Sequence, residues 1–122
     1  MRKHLFVVFT DDSCRQNHAL MYALELQTKG HHVRLLLEGT GTRALSEMTN
    51  PDSRLGAMLK EARDLGVLAG ACDRASHGCA CEDPSRKVAD LARDQKVELL
   101  ADLNGHAGIE RFVRDGYEIV VF

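Results

Sequence analysis

The chain has 122 residues, among them four cysteines and six histidines, the side chains best suited to nucleophilic or metal chemistry. Cys14 follows the first strand-like run, and Cys72, Cys79 and Cys81 follow the third. In an open parallel α/β sheet, loops leaving the carboxyl ends of strands flank the crevice where ligands bind. Thiols gathered there point to sulfur, redox or metal chemistry, whereas thiols scattered through a core would not. Cys72 closes a short apolar run and opens a loop. It is expected to project into an open, solvent-reachable mouth as a nucleophilic or persulfide-carrying thiol held by a rigid strand. The bland alternative is a structural thiol packed against the sheet. Cys79 and Cys81 form a C-x-C pair beside Gly78 and ahead of a helix start. Loop thiols near helical N–H groups can be reactive, and this pair is placed to resolve a disulfide or persulfide on Cys72.

Cys14 falls in the first turn of a predicted helix, and His18 is four residues on, on the same helical face. His18 could accept the thiol proton or share a ligand; otherwise Cys14 is a small buried hydrophobe and His18 a solvated residue. Glu38 ends the second strand and His106 follows the fourth, so both could rim the crevice, although His106 reads equally well as a helix-start residue facing water. Cys14, His18 and His106 are the candidate substrate-binding residues. A metal alternative uses the same atoms: Cys72, His77, Cys79 and Cys81 lie within ten residues, with Cys14 and His106 as further donors for zinc or an iron–sulfur cluster. The C-x-C spacing is not the usual C-x-x-C knuckle, so no metal ligand is assigned from sequence. Asp11-Asp12 reads as cap and turn, His31-His32 as a solvated turn, and the dispersed arginines as surface.

The elements that must position these residues follow from periodicity. Leu5 to Phe9 is a continuous apolar run, as a strand buried on both faces requires. Asp11, Asp12 and Ser13 can cap a helix over about 13–29, with Ala19, Tyr22, Ala23 and Leu26 inward and Gly30 as its stop. Val33–Leu37 is a second strand. A short helix over Thr40–Met48 breaks near Asn50-Pro51, and a helix carrying Leu55, Met58, Leu59, Ala62 and Leu65 ends at Gly66. Val67–Ala71 is a third strand, and residues 73–83 read as a loop. Asp83-Pro84 starts a helix with Val88, Leu91 and Ala92 inward. Val97–Leu100 is a fourth strand, Asn104 caps a helix containing Ile109, Phe112 and Val113, and Tyr117–Phe122 is a fifth strand. Alternation of this kind implies right-handed βαβ crossovers. The fold class is therefore three-layer α/β: a mostly parallel five-stranded sheet, flavodoxin-like, with helices on both faces. With strand 1 central and strand 3 beside it, the loops carrying Cys14 and Cys72 would share one crevice.

Residues 1–122 suit one domain. Apolar residues make up 44% and charged residues 28%, with a formal net charge of −2. That balance gives no electrostatic reason to expect nucleic acid or an anionic membrane. No apolar stretch approaches the roughly 20 residues of a membrane span, and Leu5–Phe9 is too short for a signal-peptide core. A cytoplasmic protein with reduced thiols is expected. There is no G-x-G-x-x-G after the first strand and no Walker-type loop, and no cofactor is expected.

Several segments together resemble the DsrE/DsrF-like family of small sulfur-relay proteins. The opening Leu5-Phe-Val-Val-Phe-Thr-Asp-Asp runs into a helix with Asn17, Ala19 and Ala23-Leu-Glu-Leu26. Lys29-Gly-His-His-Val-Arg-Leu-Leu-Leu-Glu-Gly39 is similar to the family's second strand. Leu65-Gly-Val-Leu-Ala-Gly-Ala-Cys72 is similar to the strand that delivers its cysteine, and Gly116-Tyr-Glu-Ile-Val-Val-Phe122 to its closing strand. The resemblance implies a flavodoxin-like subunit of a homo-oligomer, a trimer or hexamer. It also implies sulfur carried as a persulfide on Cys72 between donor and acceptor proteins. Cys14, Cys79 and Cys81 depart from the simplest family pattern and leave room for a metal- or small-ligand-binding variant, or for a structural oligomer subunit.

Overall fold

The computed structural model describes residues 1–78 and 87–122. Five strands, β1 (Lys3–Val8), β2 (His32–Leu37), β3 (Leu68–Cys72), β4 (Leu99–Leu100) and β5 (Glu118–Val121), form one sheet in the order β4-β3-β2-β1-β5. Every pairing is parallel. The helices are α1 (Ser13–Thr28), α2 (Arg54–Asp64), α3 (Asp73–Gly78), α4 (Val88–Asp94) and α5 (Glu110–Arg114), with a 3-10 segment over Gly39–Thr49. The three-layer α/β sheet is the one the sequence predicts.

The neighbour relations differ in one respect. β2, not β1, lies beside β3, so the supposed crevice between strands 1 and 3 does not exist. Each of the first three crossovers steps to the adjacent position in one direction. Right-handedness then places α1, α2 and α4 on one face. The last crossover returns past β3, β2 and β1 to the far edge, so α5 falls on the opposite face. The packing follows this division. Phe6, Val8, Leu35 and Leu37 pack with Ala19, Leu20, Ala23, Leu59 and Leu91 on the first face. Leu5, Val7, Leu36, Ala69, Cys72 and Leu100 pack with Ala107 and Phe112 on the second. On α1, Leu20 takes the inward place expected of Tyr22, which is exposed.

Two local differences bear on function. Residues 73–78, expected as loop, form α3, where Asp73 and His77, one turn apart, pair at 3.2 Å. Asn104, expected as a helix cap, instead shapes a tight turn: Asn104 has φ 52° and Gly105 φ 89°. Leu103 and His106 exchange both backbone hydrogen bonds at 2.8 Å. This is the Asn-Gly geometry of a two-residue hairpin. The expected Asp83-Pro84 helix start lies outside the described residues. No helix among the described residues is long and apolar enough to cross a membrane.

Candidate functional site at the β2–β3–β4 edge

Cys72 is placed by a bulge. Leu35 pairs with Leu68, but Leu36 pairs with Gly70, so β3 carries one extra residue there. A strand alternates faces at every residue, so one inserted residue reverses the side on which all later residues fall. Leu68 and Ala71 pack on the first face, while Ala69 and Cys72 pack on the second. Without the bulge Cys72 would face the other way. Gly70 is required at this point. It has φ 153°, and a Cβ there would sit 2.5 Å from the carbonyl oxygen of Glu98.

Extending the β2–β3 register by one rung sets Glu38 beside Cys72. The Glu38 carboxylate accepts from the Gly39 amide at 2.9 Å, and one of its oxygens lies within 4.8 Å of the Cys72 sulfur. His106 arrives from beyond β4. Its turn is tied to α3 by Arg74 N–H donating to Gly105 O at 3.0 Å, and to the chain behind it by Gly108 N–H donating to Asp102 Oδ1 at 2.9 Å. That amide holds the Asp102 carboxyl below its ordinary range. His106 Nδ1 lies 3.5 Å from Cys72 Sγ. One donor atom each from Glu38, Cys72 and His106 lie within 4.8 Å of one another.

The thiol is fully buried, whereas His106 beside it is exposed. This corrects the expectation of a sulfur open to solvent: Ala107 and Phe112 belong to the same buried cluster, on the face that α5 covers. Burial is the largest influence on the thiol and pushes its pKa up. Hydrogen bonds from the Ala75 and Ala107 amides lower it, and the Glu38 carboxylate raises it again, for a net upward shift. The site is thus a thiol that burial holds protonated, with a carboxylate and an imidazole beside it.

The other expected site residues divide clearly. Cys14 and His18 do lie together, Sγ 3.7 Å from Nδ1, on the exposed start of α1. They are not part of the Glu38–Cys72–His106 cluster. His77, offered as a metal donor, pairs with Asp73. Cys79 and Cys81 lie outside the described residues. Glu38 carries more than a rim position, and the signal for it was its place as the first polar residue after a buried strand. The topological switch point, between β1 and β5, is closed by backbone: the Phe9 and Thr10 amides both donate to Phe122 O, at 2.8 and 3.2 Å.

No family model matches the chain, and no solved structure gives a significant match. Over 103 residues the chain is 27% identical to the uncharacterized protein MJ0733 of Methanocaldococcus jannaschii, an alignment covering 84% of this chain and 76% of that relative.

Proposed function

We propose that this protein is a cytoplasmic sulfur carrier of the DsrE/DsrF-like kind, working as a homo-oligomer. In this reading Cys72 takes sulfane sulfur from a donor protein and passes it to an acceptor. The observation that carries the reading is the Cys72 thiol with the His106 imidazole 3.5 Å from its sulfur and the Glu38 carboxylate within 4.8 Å. Those groups suit transfer from a hydropersulfide R–S–SH. The Cys72 S–H bond breaks and its proton passes to Glu38. The sulfur attacks the terminal sulfur of the donor as the bond between that sulfur and R–S breaks. The departing R–S⁻ takes the proton from Glu38. The products are Cys72–S–SH and R–SH, with no external oxidant or reductant. The two amides stabilise negative charge on the sulfur as the proton leaves. His106, exposed beside a buried sulfur, marks the side on which donor and acceptor approach. Release to the acceptor is assigned to Cys79 or Cys81, as the C-x-C spacing suggests.

The experiment is intact-protein and peptide mass spectrometry after treatment of chelated, reduced protein with a hydropersulfide donor. One added sulfur per chain, located on the peptide containing residue 72 and absent in Cys72→Ser, is the expected result. An unmodified chain, or an adduct that persists in Cys72→Ser, rejects the reading.

A further inference from the structure

Glu38, Cys72 and His106 come from three separate parts of the chain, yet their donor atoms gather within 4.8 Å. We propose that they form a binding site for a tetrahedral divalent transition metal, and that zinc is the ion the ligand set fits. Thiolate, imidazole and carboxylate together select a borderline ion; magnesium and calcium, which require oxygen ligands, do not suit a set containing sulfur. The thiol–imidazole distance agrees. With Zn–S about 2.3 Å and Zn–N about 2.0–2.1 Å, a tetrahedral centre separates sulfur from nitrogen by about 3.5 Å. Cys72 Sγ and His106 Nδ1 stand 3.5 Å apart.

The three donors are also held from behind. Cys72 is fixed by the register of β3, Glu38 by the Gly39 amide, and His106 by the two backbone bonds of its turn. A site whose ligands are already oriented loses little entropy on binding. Binding is an exchange: Cys72–SH releases its proton, the thiolate lone pair goes to the metal, and no electron is transferred. Three protein donors leave one tetrahedral position, the arrangement of zinc sites that also accept water or substrate. The inference does not depend on the carrier reading. It makes metal an inhibitor of persulfide formation, because both use the same sulfur lone pair.

Cobalt(II) is the probe, added under anaerobic conditions to chelated, reduced full-length protein. We expect one equivalent to bind, giving a thiolate-to-cobalt charge-transfer band and the visible bands of a tetrahedral centre, both removed by zinc. Cys72→Ser abolishes the charge-transfer band. His106→Ala, at an exposed position, weakens cobalt binding by more than about tenfold. Absence of stoichiometric binding overturns the inference. So does a charge-transfer band that survives Cys72→Ser, which would place the thiolate on Cys14, Cys79 or Cys81, or cobalt affinity unchanged in His106→Ala. The persulfide assay tests the carrier reading separately, because it is run on metal-free protein.

Discussion

The proton on Cys72 is held by its surroundings more firmly than on a free thiol, and this has a consequence for stability. Burial, then the Glu38 carboxylate, outweighs the two amides on the sulfur. A thiol whose native pKa lies above its unfolded value binds its proton more tightly when folded. Its contribution to stability is therefore full below the unfolded value, about 8.5, and is lost as pH rises through the native one. In chelated, reduced protein, the melting temperature should fall more steeply with pH above about 8.5 in the wild type than in Cys72→Ser. Glu38→Gln removes the negative charge beside the thiol and lowers only the native pKa, so the decline should begin at the same pH but end at lower pH and be smaller. Thermal melts between neutral pH and about pH 10.5 check both. Identical pH profiles for wild type and Cys72→Ser would contradict the assigned proton position. Cys72, Glu38 and His106 could each be picked out by residue type at strand ends. The burial of the sulfur could not, because the cover belongs to α5 and the chain before it, more than 30 residues away.

At the scale of elements, two glycines aim the site. Gly70 sits at the bulge that turns Cys72 toward α5. A methyl group there would come within 2.5 Å of the Glu98 carbonyl, which is backbone and cannot swing aside. Gly70→Ala should cost roughly 1–3 kcal/mol, read as a lower denaturation midpoint. It should also disturb Cys72, so persulfide formation should fall with it. Gly105 is the second. Its φ of 89° disfavours a side chain, and a Cβ would meet the Arg74 guanidinium at 3.1 Å, a flexible neighbour that can yield. Gly105→Ala should therefore cost only about 1–2 kcal/mol, while displacing His106 enough to weaken cobalt binding severalfold. A variant with native cobalt affinity would show that the turn does not position the imidazole. Both features had sequence signals, a glycine inside a strand run and an Asn-Gly pair. Reading the latter as a helix cap hid it, since capping and tight turns favour the same residue types. The strands and every helix but α3 were legible from periodicity; α3 was not, since Asp73–Gly78 is too short to show a repeating apolar stripe. The order of the strands was not, because apolar runs buried on both faces carry no record of their neighbours.

For the molecule as a whole, the two edges of the sheet are unequal. β4 ends it with two residues, Leu99–Leu100, too short to recruit another strand. β5 ends it with four, Glu118–Val121, and among the described residues it has a strand on one side only. Val120 and Val121 are exposed, Val121 at 63%. The strand contains no lysine or proline of the kind that usually blunts an edge. A shallow apolar groove lined by Phe6, Tyr22, Leu26, Val120 and Phe122 continues beside it. With a net charge of only −2, repulsion between copies is weak, so the oligomer proposed above would be expected to bury this edge. The cluster of Glu38, Cys72 and His106 lies beyond the ends of β2, β3 and β4, on the other side of β1. Assembly through β5 would not cover it, and the two properties should separate cleanly. Val121→Lys puts a charge on the exposed edge without touching the buried clusters. It should shift the protein toward monomer in analytical ultracentrifugation, while cobalt binding per chain stays at the wild-type value. An unchanged sedimentation coefficient for an oligomeric wild type would move the interface to another face; joint loss of assembly and cobalt binding would mean that the metal site is completed across the interface.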